Sequence, residues 1–304
     1  MCWYRAVELK GVRTMRSRLL VIGALVFLVG VACGGGNKTA STGSPAAKSD
    51  LLGAIQKAGA LRVSTDPAYP PQSSLDQKTG KWQGFDIDVA TEIARRLGVK
   101  VEWKTPAWDT ITSGHWSGRW DVSVGSMTIT PERAQVLDFT PAYYYTPAGL
   151  AVHKTNTTYT DPAQLSGKRI GVCGDCTYEK YLQHTLQIPG YTIDFKISGA
   201  KLHTYDTDTT AIADLALGDG VRLDAVMSAV PTLEEAIKAG KPIKLLGQPL
   251  FFEPLAVAID KSSTLDPTSL VQKVSQIVRQ MHNDGTLSGL SMKWYGIDLT
   301  VPSS

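Results

Sequence analysis

Asp121 to Phe139 reads D-V-S-V-G-S-M-T-I-T-P-E-R-A-Q-V-L-D-F. Val122 and Val124 begin a β run, Gly125 to Ile129 form a small-residue turn, and Thr130-Pro131-Glu132 supplies an N-cap, a proline at the first helical position and an acid in the first turn. The stretch predicts a strand handed through a polar turn into a helix. Such a turn leaves backbone N–H groups beside the positive end of a helix dipole, flanked by the hydroxyls of Ser126 and Thr128, which suits a carboxylate or a phosphate. Arg133 falls in the first helical turn, where the dipole disfavours a cation and an anion is needed to offset it. Its guanidinium can grip a carboxylate through two parallel hydrogen bonds. It can equally pair with a surface acid such as Glu132 or Asp138, and this stretch alone leaves both readings open.

Upstream, Asp50 is a plausible N-cap for a helix over Leu51 to Ala58 ended by Gly59, and L-R-V-S-T from Leu61 is a strand. Phe85, Val89, Ile93 and Leu97 recur every four residues with Asp86, Asp88, Glu92 and Arg96 between them, an amphipathic helix closed by Gly98 and followed by the strand V-K-V-E-W. Strand, helix, strand at this spacing implies an α/β fold with a parallel sheet, whose ligands bind beyond the carboxyl ends of the strands. Asp66 and Tyr69 follow the first strand, Trp108 follows the strand centred on Val101, and Ser126 to Thr128 follow the Val122 strand, so all fall on one rim. Tyr69 and Trp108 also fit as ordinary loop-packing aromatics; two aromatic faces would in addition suit a cation or a planar amide or guanidinium.

S-M-T-I-T-P-E-R followed by D-F-T-P-A-Y-Y resembles the signature of the family 3 extracellular solute-binding proteins, the polar amino-acid receptors of ABC importers. The similarity extends through T-D-P-A-Y-P-P, G-F-D-I-D-V-A, T-Y-E and R-L-D-A-V, covering nearly all of the chain after about residue 55. The resemblance implies a two-lobed periplasmic-binding-protein fold of type II, each lobe a parallel-rich sheet flanked by helices, with a two-stranded hinge. It implies a pocket in which Ser126, Met127, Thr128 and Arg133 hold an α-carboxylate, Cys176 and Thr177 approach it from the opposite wall, Asp66 meets the ligand side chain, and Tyr69 and Trp108 sandwich it. Thr177 also fits as a plain helix N-cap. The implied partners are a small polar solute and the permease subunits of an importer, with the receptor itself a monomer and without a cofactor.

The expected organisation is a signal peptide over residues 1–32, a tether over 33–49, lobe one over 50–150 and 256–304, and lobe two over 151–255. Arg16 and Arg18 precede an apolar run from Leu19 to Val31 that ends in V-A-C-G-G-G, an order that reads as a secretory signal and is too short for a spanning helix. Cys33 after Ala32 resembles a lipobox, with Gly30 where leucine is usual, and implies lipid attachment and an extracytoplasmic, membrane-anchored location. Met1 and Met15 are both available as starts. Residues 1–32 carry five bases, Arg5, Lys10, Arg13, Arg16 and Arg18, against one acid, Glu8; the whole chain is +3 and the chain from Cys33 is therefore −1, with no basic footprint for nucleic acid. Gly34 to Ser49, rich in Gly, Ser, Thr, Ala and Lys, reads as the tether.

Lobe two is expected to alternate K-R-I-G-V-C as strand, Thr177 to Leu186 as helix, T-I-D-F-K as strand, a helix around Thr209 to Leu217, L-D-A-V-M as strand and a helix from Thr232 to Ala239, with Thr268 to Asp284 and a short helix near Trp294 closing lobe one. Two departures from the family pattern stand out. Cys173-Gly174-Asp175-Cys176 occupies the lobe-two turn, where a local disulfide is the simplest reading outside the cytoplasm. A redox pair lacks thioredoxin-like surroundings, and a metal site lacks a second C-x-x-C or an H-x-x-x-H. The family's acid for the α-ammonium falls on Ala229, so either a neighbour such as Asp175, Asp206 or Ser228 replaces it or the ligand is not a standard α-amino acid. Asp66 argues against an acidic ligand side chain.

Two further readings are a dehydratase-type enzyme on the same fold and a sensor subunit with a separate membrane partner. The first needs a general acid in the cleft, for which Glu179 and Asp175 are the nearby choices. His115, His153, His184, His203 and His282 form no triad or metal spacing.

Overall fold

The computed structural model describes residues 49–302. The expected signal peptide, Cys33 with its expected lipid, and all but the last residue of the expected tether lie outside the described residues.

Lobe one opens with α1 (Leu51–Ala58), β1 (Ala60–Ser64) and a small antiparallel sheet of β2 (Ala68–Tyr69), β3 (Ser73–Asp76) and β4 (Lys81–Gln83). It continues with α2 (Phe85–Leu97), β5 (Lys100–Lys104), α3 (Trp108–Thr112), β6 (Val122–Thr128), α4 (Arg133–Val136) and β7 (Leu137–Phe139). After β8 (Tyr144–His153), lobe two follows as β9 (Arg169–Cys173), α5 (Thr177–Leu182), β10 (Lys201–Tyr205), α6 (Asp208–Leu215), β11 (Ala225–Ala229) and α7 (Val230–Lys238). The chain returns along β12 (Ile243–Asp260) and ends in α8 (Thr268–Asn283) and α9 (Thr286–Tyr295).

Each lobe is built on a parallel trio: β1 lies between β5 and β6, and β9 lies between β10 and β11. The antiparallel pair β8–β12 joins the trios into one hydrogen-bonded path, with β11 on β8 and β6 on β12. The core changes along this pair. Tyr144 and Leu255 pack with α2, α8 and the lobe-one strands, whereas Ala148 and Phe251 pack with α5 and the lobe-two strands. The crossover therefore lies between Tyr144 and Ala148 on β8 and between Phe251 and Leu255 on β12, where the two strands form the expected two-stranded hinge.

α2 shows how the sequence pattern becomes packing. Phe85, Val89, Ile93 and Leu97 are buried against β1 and β6, while Glu92 faces Arg95 at 2.7 Å and Arg96 at 2.6 Å. Each fully buried large side chain contributes about 1.5–3 kcal/mol, so this stripe, more than the surface ion pairs, holds the helix to the sheet. Gly84 precedes it at φ 135°, and a Cβ there would stand 2.2 Å from the Gln72 carbonyl oxygen. Only glycine lets the helix start this close to β3, a contact closed by the Asp86 N–H on the Gln72 carbonyl at 2.8 Å.

Three local expectations change. The turn expected from Gly125 is strand through Thr128, because Met127 and Thr128 pair with Ala256 and Leu255 of β12. T-I-D-F-K is not a strand; the Tyr181 hydroxyl donates to the Asp194 carbonyl at 2.8 Å and accepts from the Lys196 N–H at 2.9 Å, and the third parallel strand is instead K-L-H-T-Y. Helix α5 stops at Leu182, four residues before the expected end, and His184 beyond it takes φ 60° with its ring nitrogen on the Ile197 carbonyl at 2.6 Å.

Candidate functional site

The carboxyl ends of both parallel trios face a common cavity between the lobes. Of the residues expected from sequence, Asp66, Tyr69, Trp108, Ser126, Thr128, Arg133, Cys176 and Thr177 line it, together with Cys173. Met127 does not. Strand alternation turns its side chain to the other face of β6, where it packs with Trp116, Trp120 and Leu137.

Arg133 is the centre of the lobe-one wall. The Thr130 hydroxyl caps the turn by accepting from the Arg133 N–H at 3.2 Å. Helix α4 has only four residues, so its dipole is slight and the guanidinium itself is the anion-attracting group. That side chain is buried, donates to the carbonyls of Thr128 (3.2 Å) and Asp175 (3.0 Å), and lies 5.2 Å from the Trp108 ring centroid. Burial pulls its pKa below the usual arginine value, opposed by the charges of Asp175, Glu253 and Glu132. The surface acids are taken elsewhere, Glu132 by Lys180 at 2.6 Å and Asp138 by Lys261 at 3.8 Å. Among the described residues Arg133 has no ion-pair partner within 4.0 Å.

Behind it stands a buried acid missed by the sequence reading. Asp86 accepts from the Ser126 hydroxyl and the Tyr143 hydroxyl, both at 2.7 Å, and burial raises its pKa to about 7. The Tyr143 hydroxyl also accepts the Ser126 N–H at 3.1 Å, and the Tyr144 hydroxyl shares a 2.6 Å bond with the Ser126 hydroxyl. Ser126, at φ 54°, is thus clamped from behind. A second missed acid, Glu253 on β12, takes the Thr128 hydroxyl at 2.7 Å and the Thr177 hydroxyl, linking the two lobes. Burial raises its pKa, against those hydroxyls, that of Tyr178 and the charge of Arg133. The signal for Glu253 was a lone acid inside the apolar run F-F-E-P-L-A-V.

Lobe two presents the disulfide Cys173–Cys176, which closes the turn carrying Asp175 at φ 57°. From that turn the Asp175 carbonyl accepts Arg133 and the Trp108 indole N–H (3.3 Å), and its carboxylate accepts the Thr112 hydroxyl at 2.5 Å. Thr177 is the first residue of α5 after Cys176 at the cap position, so it does not act as the cap. Tyr178 meets Tyr69 across the cavity at 3.3 Å between hydroxyls. Burial raises the pKa of Asp66, countered by the Ala68 N–H at 2.7 Å. Asp206 and Asp208 complete the lining, whereas Ala229 is buried in the lobe-two core.

Two lobes, a ribbon between them and a buried arginine facing the cleft define a cleft-type solute-binding protein. The chain belongs to the bacterial extracellular solute-binding proteins, family 3, whose pattern matches residues 61–297. It is 31% identical over 252 residues to the L-cystine-binding protein TcyJ of Escherichia coli (strain K12), covering 82% of this chain and 88% of that one. Among solved structures it resembles an ancestral amino acid-binding protein, AncCDT-1, described as a precursor of cyclohexadienyl dehydratase (30% identity, TM-score 0.69, 80% of this chain and 99% of that one). It also resembles an ancestral arginine-binding protein bound to arginine (32% identity, TM-score 0.68, 78% of this chain and 99% of that one). Among the described residues no helix is long and apolar enough to cross a membrane.

Proposed function

We propose that this chain is the extracytoplasmic receptor of an ABC importer, held at the membrane by lipid on Cys33, and that it captures a cationic amino acid between its lobes. The observation that carries the reading is the buried Arg133, which turns its fork toward the cavity without a carboxylate partner of its own. A buried guanidinium left unpaired is costly, and a ligand carboxylate relieves that cost.

The ligand's remaining charge follows from the rest of the lining. Asp66, Asp206, Asp208 and Glu253 stand against one base, Arg133. A solute with one carboxylate and more than one positive centre balances that surplus better than cystine, whose two carboxylates match its two ammonium groups. Arginine, bound in the ancestral arginine-binding protein, has this charge pattern. Of the two acids considered for a general-acid role, Glu179 instead accepts the Asp175 N–H at 2.6 Å and Asp175 the Thr112 hydroxyl at 2.5 Å, which favours capture over chemistry.

The test is calorimetric titration of the mature domain with L-arginine. Arg133→Ala is expected to weaken binding on the order of 100-fold or more, about 3 kcal/mol at 1.4 kcal/mol per tenfold. An unchanged affinity would remove the carboxylate clamp and the reading with it.

A further inference from the structure

Position 229 holds an alanine packed into the lobe-two core, so β11 sends no charge to the cavity from there. The neighbouring helix does. Asp208, the first residue of α6, lines the cavity, is 6% exposed, and its Oδ1 has no hydrogen-bond partner among the described residues. We propose that Asp208 is the specificity-determining anion for the ligand's α-ammonium, taking over from α6 the task that the residue at 229 does not perform.

The inference rests on the reading of a carboxylate held by Arg133. It is carried by the state of each other acid at the site. Glu253 has two hydroxyls on one oxygen, Asp66 has the Ala68 N–H, and Asp206 is exposed to solvent. Among the described residues Asp208 forms no ion pair, and the Ser228 hydroxyl at the end of β11 and its own backbone N–H are the groups that hold its pKa down. The groups facing it from the surrounding elements are otherwise acids and phenols: Asp66 and Tyr69 from lobe one, Glu253 from β12, Tyr178 from α5 and Asp206 before its own helix. Burial with these neighbours raises its pKa to about 7. A carboxylate that is nine-tenths buried and surrounded by negative charge gains most from a cation. Asp208 stands at the junction with lobe one, where the adjacent Thr209 hydroxyl donates to the Ala68 carbonyl at 3.2 Å. An ammonium arriving at Asp208 favours the ionised form, so capture near pH 7 releases a proton.

The experiment compares L-arginine with 5-guanidinopentanoate, the same molecule without its α-amine, on the wild type, Asp208→Asn and Glu253→Gln. Wild type is expected to prefer arginine by roughly 30-fold or more, and Asp208→Asn to reduce that preference to about threefold or less while binding the deaminated compound about as well as before. Preference retained in Asp208→Asn, or lost only in Glu253→Gln, overturns the assignment while leaving the carboxylate clamp intact. Equal wild-type affinity for both compounds also overturns it. Wild type binding neither compound overturns the cationic amino-acid reading and this inference together. A measurement on wild type alone guards against a misfolded variant: titrations in two buffers of different ionisation enthalpy at pH 7 should show more proton release with arginine than with the deaminated compound, and equal release overturns the proposal.

Discussion

The two walls of the cleft are built in opposite ways. The lobe-one wall is backed by a buried network in which Asp86, Tyr143, Tyr144 and Ser126 satisfy one another, and by a glycine that admits no larger residue. The lobe-two wall is a four-residue turn tied by a disulfide, a six-residue helix and an acid with a free oxygen. In the function proposed above, preorganisation in the first wall fixes the carboxylate end of the ligand through Arg133, whereas the second wall is free to differ in where it places its acid.

The sharpest way to break this contrast is at two glycines. Gly84→Ala puts a methyl against the Gln72 backbone at a φ that L residues avoid, and a loss of more than about 4 kcal/mol, or no folded protein, is expected in denaturant unfolding. Folding at wild-type stability would show that lobe one adapts after all.

The next effect is of pH. Asp86 and Asp208 have native pKa values near 7 against 3.8, so between about pH 4 and 7 the native state holds protons that the unfolded chain has lost, and stability falls as pH rises through that window. At about 1.4 kcal/mol per pKa unit as a ceiling, and allowing for relaxation around the buried groups, the ligand-free domain is expected to lose roughly 3 kcal/mol from pH 5 to 8. Glu92, held near 2 by Arg95 and Arg96, and Asp284, held near 2 by Thr286 and Arg96, act in the opposite sense only below about pH 4.5. Thermal melts across this range with Asp208→Asn separate the walls, since that variant should lose the Asp208 part of the slope and keep the Asp86 part.

Reducing the disulfide, or replacing Cys173 and Cys176 by serine, is expected to cost about 2 kcal/mol or less because the closed loop is so short. Ligand affinity should fall with it, since Asp175 in that loop accepts Arg133, Trp108 and Thr112 from lobe one. Smallest of all, Gly174→Ala in the same loop has its nearest atoms at 3.9 Å and should change stability by less than about 1 kcal/mol. A cost near that of Gly84→Ala would erase the contrast.

The sequence carried the fold wherever periodicity was strong. The four-residue repeat of α2, the Asp50 cap with its 2.8 Å bond to the Gly53 N–H, and the parallel trio of lobe one are all readable from spacing and caps. It failed at T-I-D-F-K, where a tyrosine hydroxyl replaces the ladder bonds that the β-formers suggest. At the site, the rim residues were legible because strand ends can be located, and Arg133 because a cation in a first helical turn breaks a local rule. Asp86, Glu253 and Asp208 were not, since what matters in each is burial brought by distant strands and helices, and a one-dimensional pattern does not report which acids converge.

The ribbon has one more consequence. Ala148 and Phe251, where the chain enters and leaves lobe two, are paired partners on adjacent strands. Lobe two is thus an insertion with neighbouring ends, a cassette plugged into a lobe assembled from the chain on either side of it. Exchange of roughly residues 148–251 with the equivalent span of a relative would change one jaw and leave the other untouched. Under the proposed roles of Asp208 and Arg133, solute preference set by α6 could therefore be traded between receptors as a unit, without rebuilding the half that would grip the carboxylate.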